Sequence, residues 1–191
     1  MNDSGSAGVT ISAEQWAEVQ AMLDRDAIRQ RLGFLTRGSD RVFGDLLADS
    51  YWPESWDFHG AFSGTGYQFA KDSEPARLRS TDVNVVTHHM LGQSNIELYG
   101  DEAHVETYML AVAVRGGETP HRKFEFTGRY LDRFKKIDGE WRIQVRRVVL
   151  DTSTEYDHTE LWASDGAYPH GKRYPDDGVF HFDEFVSLPT S

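Results

Sequence analysis

Two adjacent histidines, His88 and His89, stand at the head of an apolar run, Met90-Leu91-Gly92, that leads through Asn95-Ile96-Glu97-Leu98 to the turn pair Gly100-Asp101. Neighbouring side chains of a strand point to opposite faces, so one of the two rings should enter the interior. An imidazole facing an apolar interior suits general acid or base work, because its charge is easily moved across neutrality. It is equally a core residue with satisfied hydrogen bonds. Two other groups have side chains able to do chemistry. Asp57 and His59 flank Phe58 in a strand-like stretch and so share one face, toward a ligand or toward solvent. His158, His170 and His181 accompany Asp157, Asp176 and Asp177 near the C-terminus, but without fixed ligand spacing, and no metal site is assigned to them.

The elements that position these residues belong to a chain of ordinary globular composition. At 191 residues, 39% hydrophobic and 27% charged, it fits one domain with a full core. A formal net charge of -11 argues against nucleic acid or an anionic membrane surface as partner, since both select basic patches. The absence of cysteine excludes disulfides, thiolate metal sites and cysteine nucleophiles. No run of 18 apolar residues occurs, and Met1-Asn2-Asp3-Ser4-Gly5-Ser6 does not open like a signal peptide, so a cytoplasmic location is expected. Aromatic residues make up 13%, with five tryptophans, enough to line a pocket for a flat or polycyclic, hydrophobic small molecule. Tyr51, Trp52, Trp56, Phe58 and Tyr108 are the wall candidates, with core packing as the competing use of each.

In chain order, residues 1–11 form a small, polar N-terminus. Ser12 with Gln15 makes a capping box, and Trp16, Val19, Leu23, Ala27, Leu32 and Leu35 recur at helical spacing to Gly38, a plausible helix stop. Ser39 and Asp40 can cap a second, shorter helix carrying Val42, Phe43, Leu46 and Leu47. Trp56-Phe58 and Phe62-Gly64 read as a small hairpin, and Gly66 to Leu78 as a third, weaker helix interrupted by Pro75. Four strands then follow: Val83–Leu98, Ala103–Arg115, Arg122–Lys135 and Glu140–Asp151, the last two joined at Asp138-Gly139. Both faces of the second of these are apolar from Tyr108 onward, which predicts cover on both sides. From Thr152 the chain alternates aromatic residues with turn formers, without periodicity. Helices followed by an antiparallel meander predict an α+β fold with helices on one face of a curved sheet.

Taken together, the helix pair meeting at Ser39-Asp40, the Asp57-Phe58-His59-Gly60 hairpin, His88-His89-Met90-Leu91-Gly92, Gly128-Arg129-Tyr130-Leu131-Asp132-Arg133-Phe134, Asp138-Gly139-Glu140-Trp141-Arg142-Ile143 and Arg146-Arg147-Val148-Val149 resemble the SnoaL-like branch of the nuclear transport factor 2-like superfamily. The resemblance spans roughly residues 12–155, leaving 156–191 as an aromatic tail expected to pack on the domain or on a neighbouring subunit. It implies a cone-shaped, mostly antiparallel sheet wrapped on about three N-terminal helices around an apolar cavity. Similar members include scytalone dehydratase, hexachlorocyclohexane dehydrochlorinase and bile-acid dehydratase, lyases that need no cofactor and use an Asp–His pair. Matched position by position, the aspartate falls on Asp40, the histidine on His89 and a leaving-group arginine on Arg146. Where the bile-acid enzymes carry a tyrosine five residues before the aspartate, this chain has Leu35.

The implied chemistry is a dehydratase-type elimination, or an isomerisation, on a hydrophobic ring compound such as a steroid or polyketide. A carboxylate holding one imidazole nitrogen fixes the tautomer and stabilises the imidazolium formed when the other nitrogen takes a proton. No metal or cofactor is required for that step. Each residue also has a purely structural use: Asp40 as a helix cap, His89 as core, Arg146 as a surface cation. The alternatives at the level of function are a non-catalytic binding or assembly module and the small subunit of a ring-hydroxylating dioxygenase. Apolar strand residues Val112, Val114, Phe124, Phe126, Val145 and Val149 predict a homodimer or homotrimer formed through the sheet's outer face.

Overall fold

The computed structural model describes residues 10–73, 84–115, 121–158 and 168–186. Helix α1 spans Ala13–Asp40, and its capping box forms as expected. Ser12 Oγ accepts the Gln15 N–H at 3.2 Å, and Gln15 Oε1 accepts the Ser12 N–H at 3.0 Å. The apolar contact of α1 begins at Ile28 and continues through Leu32, Leu35 and Thr36, while one turn earlier Asp24 accepts from Lys136 and from the Trp141 indole on the sheet. Trp16, Val19 and Leu23, expected on the buried stripe, are exposed. Nor does Gly38 end the helix. A Cβ there would come within 2.6 Å of the Leu47 backbone nitrogen, so its glycine permits close packing against α2, Gly44–Ala48. Asp40 is the last residue of α1 and not a cap, because α2 begins after Phe43 with no side-chain cap.

Strand β1, Tyr51–His59, turns at Gly60, whose φ of +62° suits glycine, into β2, Phe62–Gly64. A short helix α3, Gly66–Gln68, capped by Thr65, runs into a π-helical turn over Phe69–Ser73. The remaining residues expected in this third helix lie outside the described ones. Strands β3 (Asn84–Tyr99), β4 (Glu102–Arg115), β5 (His121–Ile137) and β6 (Glu140–His158) form the meander. Asp138 and Gly139 both have positive φ, 51° and 85°, as a two-residue hairpin turn demands. The order across the sheet is β2-β1-β6-β5-β4-β3, antiparallel throughout except for the parallel pair of β1 and β6. Register shifts in β3 and between β5 and β6 bend the sheet over α1 and α2. The core beneath them contains Ile28, Leu32, Leu47, Tyr51, Phe134 and Ile143.

Two strand readings are corrected. Strand β6 runs seven residues past Asp151, with Thr152 to His158 pairing against β5. That extension is polar and held by cross-strand charges, Arg122 to Glu155 and Asp157 among them, so it carries no apolar alternation to signal a strand. The six apolar residues expected to form one outer face divide between two. Phe124 and Phe126 stand opposite Ala113 and Ala111 on the concave face, whereas Val112, Val114, Val145 and Val149 stand beside Lys123, Arg129 and Arg133 on the convex one. Cover over β4 is also uneven, since Tyr108 is exposed while Ala111 and Ala113 are buried.

Candidate functional site

The end of α1 meets the edge strand β3 at one carboxylate. Asp40 Oδ2 accepts the His89 backbone N–H at 2.9 Å, and Oδ1 lies 2.6 Å from His89 Nδ1. A carboxylate only accepts, so Nδ1 carries the ring proton and Nε2 is left as the basic nitrogen. Both side chains are nearly buried, 13% exposed for His89 and 9% for Asp40. His89 rather than His88 points inward, since it pairs with buried Ala111 while His88 is exposed. The pair is flanked by two clefts. One, of roughly 460 Å³, lies between α1 and β3 and is lined by Arg29, Leu32, Thr36, His89, Leu91 and Ser94. The other, of roughly 310 Å³, is bounded by Asp40, Arg41, the start of β3 and residues 170–173.

Deeper in the cone, three charged side chains stand in one row across three strands. Arg146 on β6 is registered between Asp57 on β1 and Asp132 on β5. Its Nε and Nη2 donate to the two Asp132 oxygens at 2.7 and 2.6 Å, a bidentate pair with essentially no solvent contact. The guanidinium lies 4.0 Å above the Tyr130 ring. Tyr51 donates its hydroxyl to Asp57 Oδ2 at 2.6 Å, and His59 stacks on Phe69 with its Nδ1 3.8 Å from Asp57 Oδ1. Burial lifts the Tyr51 and Tyr130 phenols well above their ordinary range against the pull of Arg146, so both remain hydrogen-bond donors. Asp40 is among the carboxylates that raise Tyr130, which brings the interior row into the electrostatic neighbourhood of the Asp40–His89 pair. Burial also pushes Asp132 up with Arg146 opposing, while Arg146, despite its own desolvation, is kept cationic chiefly by Asp132.

Of the residues assigned from sequence, Asp40 and His89 come together, and Arg146 and Tyr51 enter the interior. Trp52, Trp56, Phe58 and Tyr108 do not line it. On β1 the inward positions are Tyr51, Ser55 and Asp57, so the residues between them face out. Trp52 donates its indole N–H to Lys135 O, Trp56 donates to Ser63 Oγ, Phe58 lies beneath the Arg147 guanidinium, and Tyr108 stands opposite Arg129. The concave side is accordingly not purely apolar, because its buried centre holds the charged row of Asp57, Arg146 and Asp132. Asp132 and Tyr130 were missed as candidates. The period-two reading of Gly128, Tyr130, Asp132 and Phe134 held the signal, an acid on the same face as two aromatic rings. Among the described residues no group of three or more metal-ligating side chains gathers, the C-terminal histidines included. No described helix is long and apolar enough to cross a membrane.

Several solved structures share this architecture. A candidate scytalone dehydratase from Novosphingobium aromaticivorans DSM 12444 is 22% identical, with a TM-score of 0.60 over 74% of this chain and 92% of that one. LinA is 15% identical, with a TM-score of 0.67 over 76% of this chain and 97% of its own. A related structure is named as a type 2 hexachlorocyclohexane dehydrochlorinase, at 13% identity and TM-score 0.64 over 76% and 97%. At these identities the likeness is one of fold. Among curated proteins none matches the sequence. The model of the SnoaL-like domain matches residues 20–147, two-thirds of the chain, and within that span lie Asp40, His89, Asp132 and Arg146. By that match the protein belongs to the SnoaL-like domain family, within the nuclear transport factor 2-like fold.

Proposed function

We propose that the protein is a cofactor-independent lyase that removes water from a hydrophobic cyclic small molecule, a steroid or polyketide, using Asp40 and His89. The contact of 2.6 Å between Asp40 Oδ1 and His89 Nδ1 carries this reading. His89 Nε2 takes a proton from the carbon beside an activating group. The electron pair left behind forms the new carbon–carbon double bond as the hydroxyl departs from the adjacent carbon. The imidazolium returns its proton to that hydroxyl, water leaves, and the base is restored. Asp40 holds the tautomer and stabilises the transient imidazolium. Arg146 favours the departing oxygen's charge at range rather than by capture, because Asp132 occupies two of its donor nitrogens. With a substrate whose chain of activation ends in proton return to carbon, the same base would isomerise instead of eliminate.

The test is turnover of a panel of hydroxylated steroids and polyketide ring compounds by wild type and His89→Gln, with circular dichroism as the folding control. A compound dehydrated by wild type and untouched by a folded His89→Gln protein is the expected result. Equal rates for the two proteins would return His89 to the core, where the histidine serves packing alone.

A further inference from the structure

The smaller of the two clefts beside the Asp40–His89 pair differs in charge from the rest of the molecule. Its lining contains three cationic side chains, Arg41, Lys172 and Arg173, and two histidines, His88 and His170, against the single acid Asp40, in a chain whose net charge is -11 with histidine neutral. These bases come from three separate elements: the end of α1, the start of β3 and the C-terminal segment. The acid among them is already engaged by two His89 donors.

The segment that supplies three of the bases is fixed by specific contacts. Tyr174 donates its N–H to Arg41 O at 2.6 Å and stacks on Phe43 at 3.9 Å. Asp177, nearly buried, accepts the Lys172 N–H at 2.7 Å and the Val179 N–H at 3.1 Å and lies 3.4 Å from Arg41 Nε. Gly171 passes beneath Arg41, where a Cβ would stand 3.3 Å from Nη1. Asp177 is thus turned toward the anchor, and His170 and Lys172 line the cleft.

We infer that this cleft binds an anionic group of the substrate, a carboxylate or phosphate, while the substrate's ring occupies the larger cleft on the His89 side. The inference depends on the proposed lyase reading only for where the ring lies. Together the two clefts fall within the size range of small-molecule sites, and the pair that would react stands between them. The mixed lining of the small cleft, with Val42 and Val86 beside the cations, suits an acid group at the end of a short aliphatic arm.

Calorimetric titration with naphthoate, naphthyl phosphate and the neutral naphthamide tests this. Wild type should bind at least one of the two anions about tenfold more tightly than the amide, the scale of one charge-assisted hydrogen bond. Whichever anion wins identifies the acid group. The preference should shrink in about 0.5 M salt, where screening acts over a few ångströms. It should collapse in Lys172→Gln and persist in Lys135→Gln, an exposed cation elsewhere. Binding is read without turnover, so a failure of the lyase reading leaves this outcome untouched. Equal affinity for amide and anions, no binding of either anion, or a preference unchanged in Lys172→Gln would each overturn the inference.

Discussion

Two acid–base pairs occupy the concave side of this protein, and their surroundings differ. Asp40 and His89 meet at the rim, one nitrogen of the histidine committed and the other available, with a cleft on either side. Asp132 and Arg146 meet in the interior, bidentate and at most 1% exposed. An ion pair deprived of water and locked by two hydrogen bonds gains little from exchanging a proton and costs a great deal to break. The pair at the rim instead keeps one ring nitrogen of His89 out of its hydrogen bond with Asp40, beside a cleft. On the proposed reading the interior pair fixes a charge in place, and the rim pair moves a proton.

The sharpest way to break this contrast is to disarm the rim. If the proposed reaction holds, Asp40→Asn should keep a hydrogen-bond partner for His89 while losing up to roughly four orders of magnitude in turnover, as loss of an orienting carboxylate does in histidine-based enzymes. Its unfolding midpoint in urea should move much less than that of any interior variant. Next in size is the interior pair. Asp132→Leu or Arg146→Met alone should lower stability by about 3–5 kcal/mol by leaving a buried charge unpartnered, and the double variant should recover much of that loss. Urea unfolding of all three proteins reads the cycle, and a double variant no better than the sum of the singles would contradict it.

A smaller effect concerns the joint that carries Asp40 to the rim. Gly38→Ala should cost about 1–3 kcal/mol in thermal unfolding, because the added methyl meets backbone of α2 rather than a movable side chain. The smallest concerns Asp177. Its pKa is depressed, burial working upward but outweighed by the Lys172 and Val179 amides and by Arg41. A carboxyl lowered on folding stabilises above its unfolded value of about 3.9 and loses that contribution as pH falls through the lower folded value. Acid titration followed by the near-ultraviolet signal of the Tyr174–Phe43 stack should therefore show release below about pH 4, a step absent in Asp177→Asn.

The order of helices and strands was legible because apolar spacing and turn residues are local. Asp138-Gly139 marked its hairpin, and the Ser12–Gln15 box marked the start of α1. The pairing of Asp40 with His89 was reached only through resemblance, since 49 residues separate a helix end from a strand and nothing local ties them. Gly38 looked like a stop because a glycine beside α2 and a glycine at a helix end read alike in sequence. Trp56 and Phe58 looked like pocket walls because aromatic character does not tell which face of a strand it occupies. The Asp57–Arg146–Asp132 row needed the register of three strands, and a parallel pairing of β1 with β6 is not written in either segment.

Among the described residues strand β3 ends the sheet, and its outward amides have no neighbouring strand there to receive them. Asp40 takes one of these amides with one oxygen while holding the His89 ring with the other. The same carboxylate thus closes part of an open border against pairing with another molecule's strand, a route by which sheets aggregate. Replacement of Asp40 by an apolar side chain would surrender that protection together with the ring's orientation. On the proposed reading, solubility and reactivity are tied to this single residue, and it cannot drift toward losing one without exposing the other.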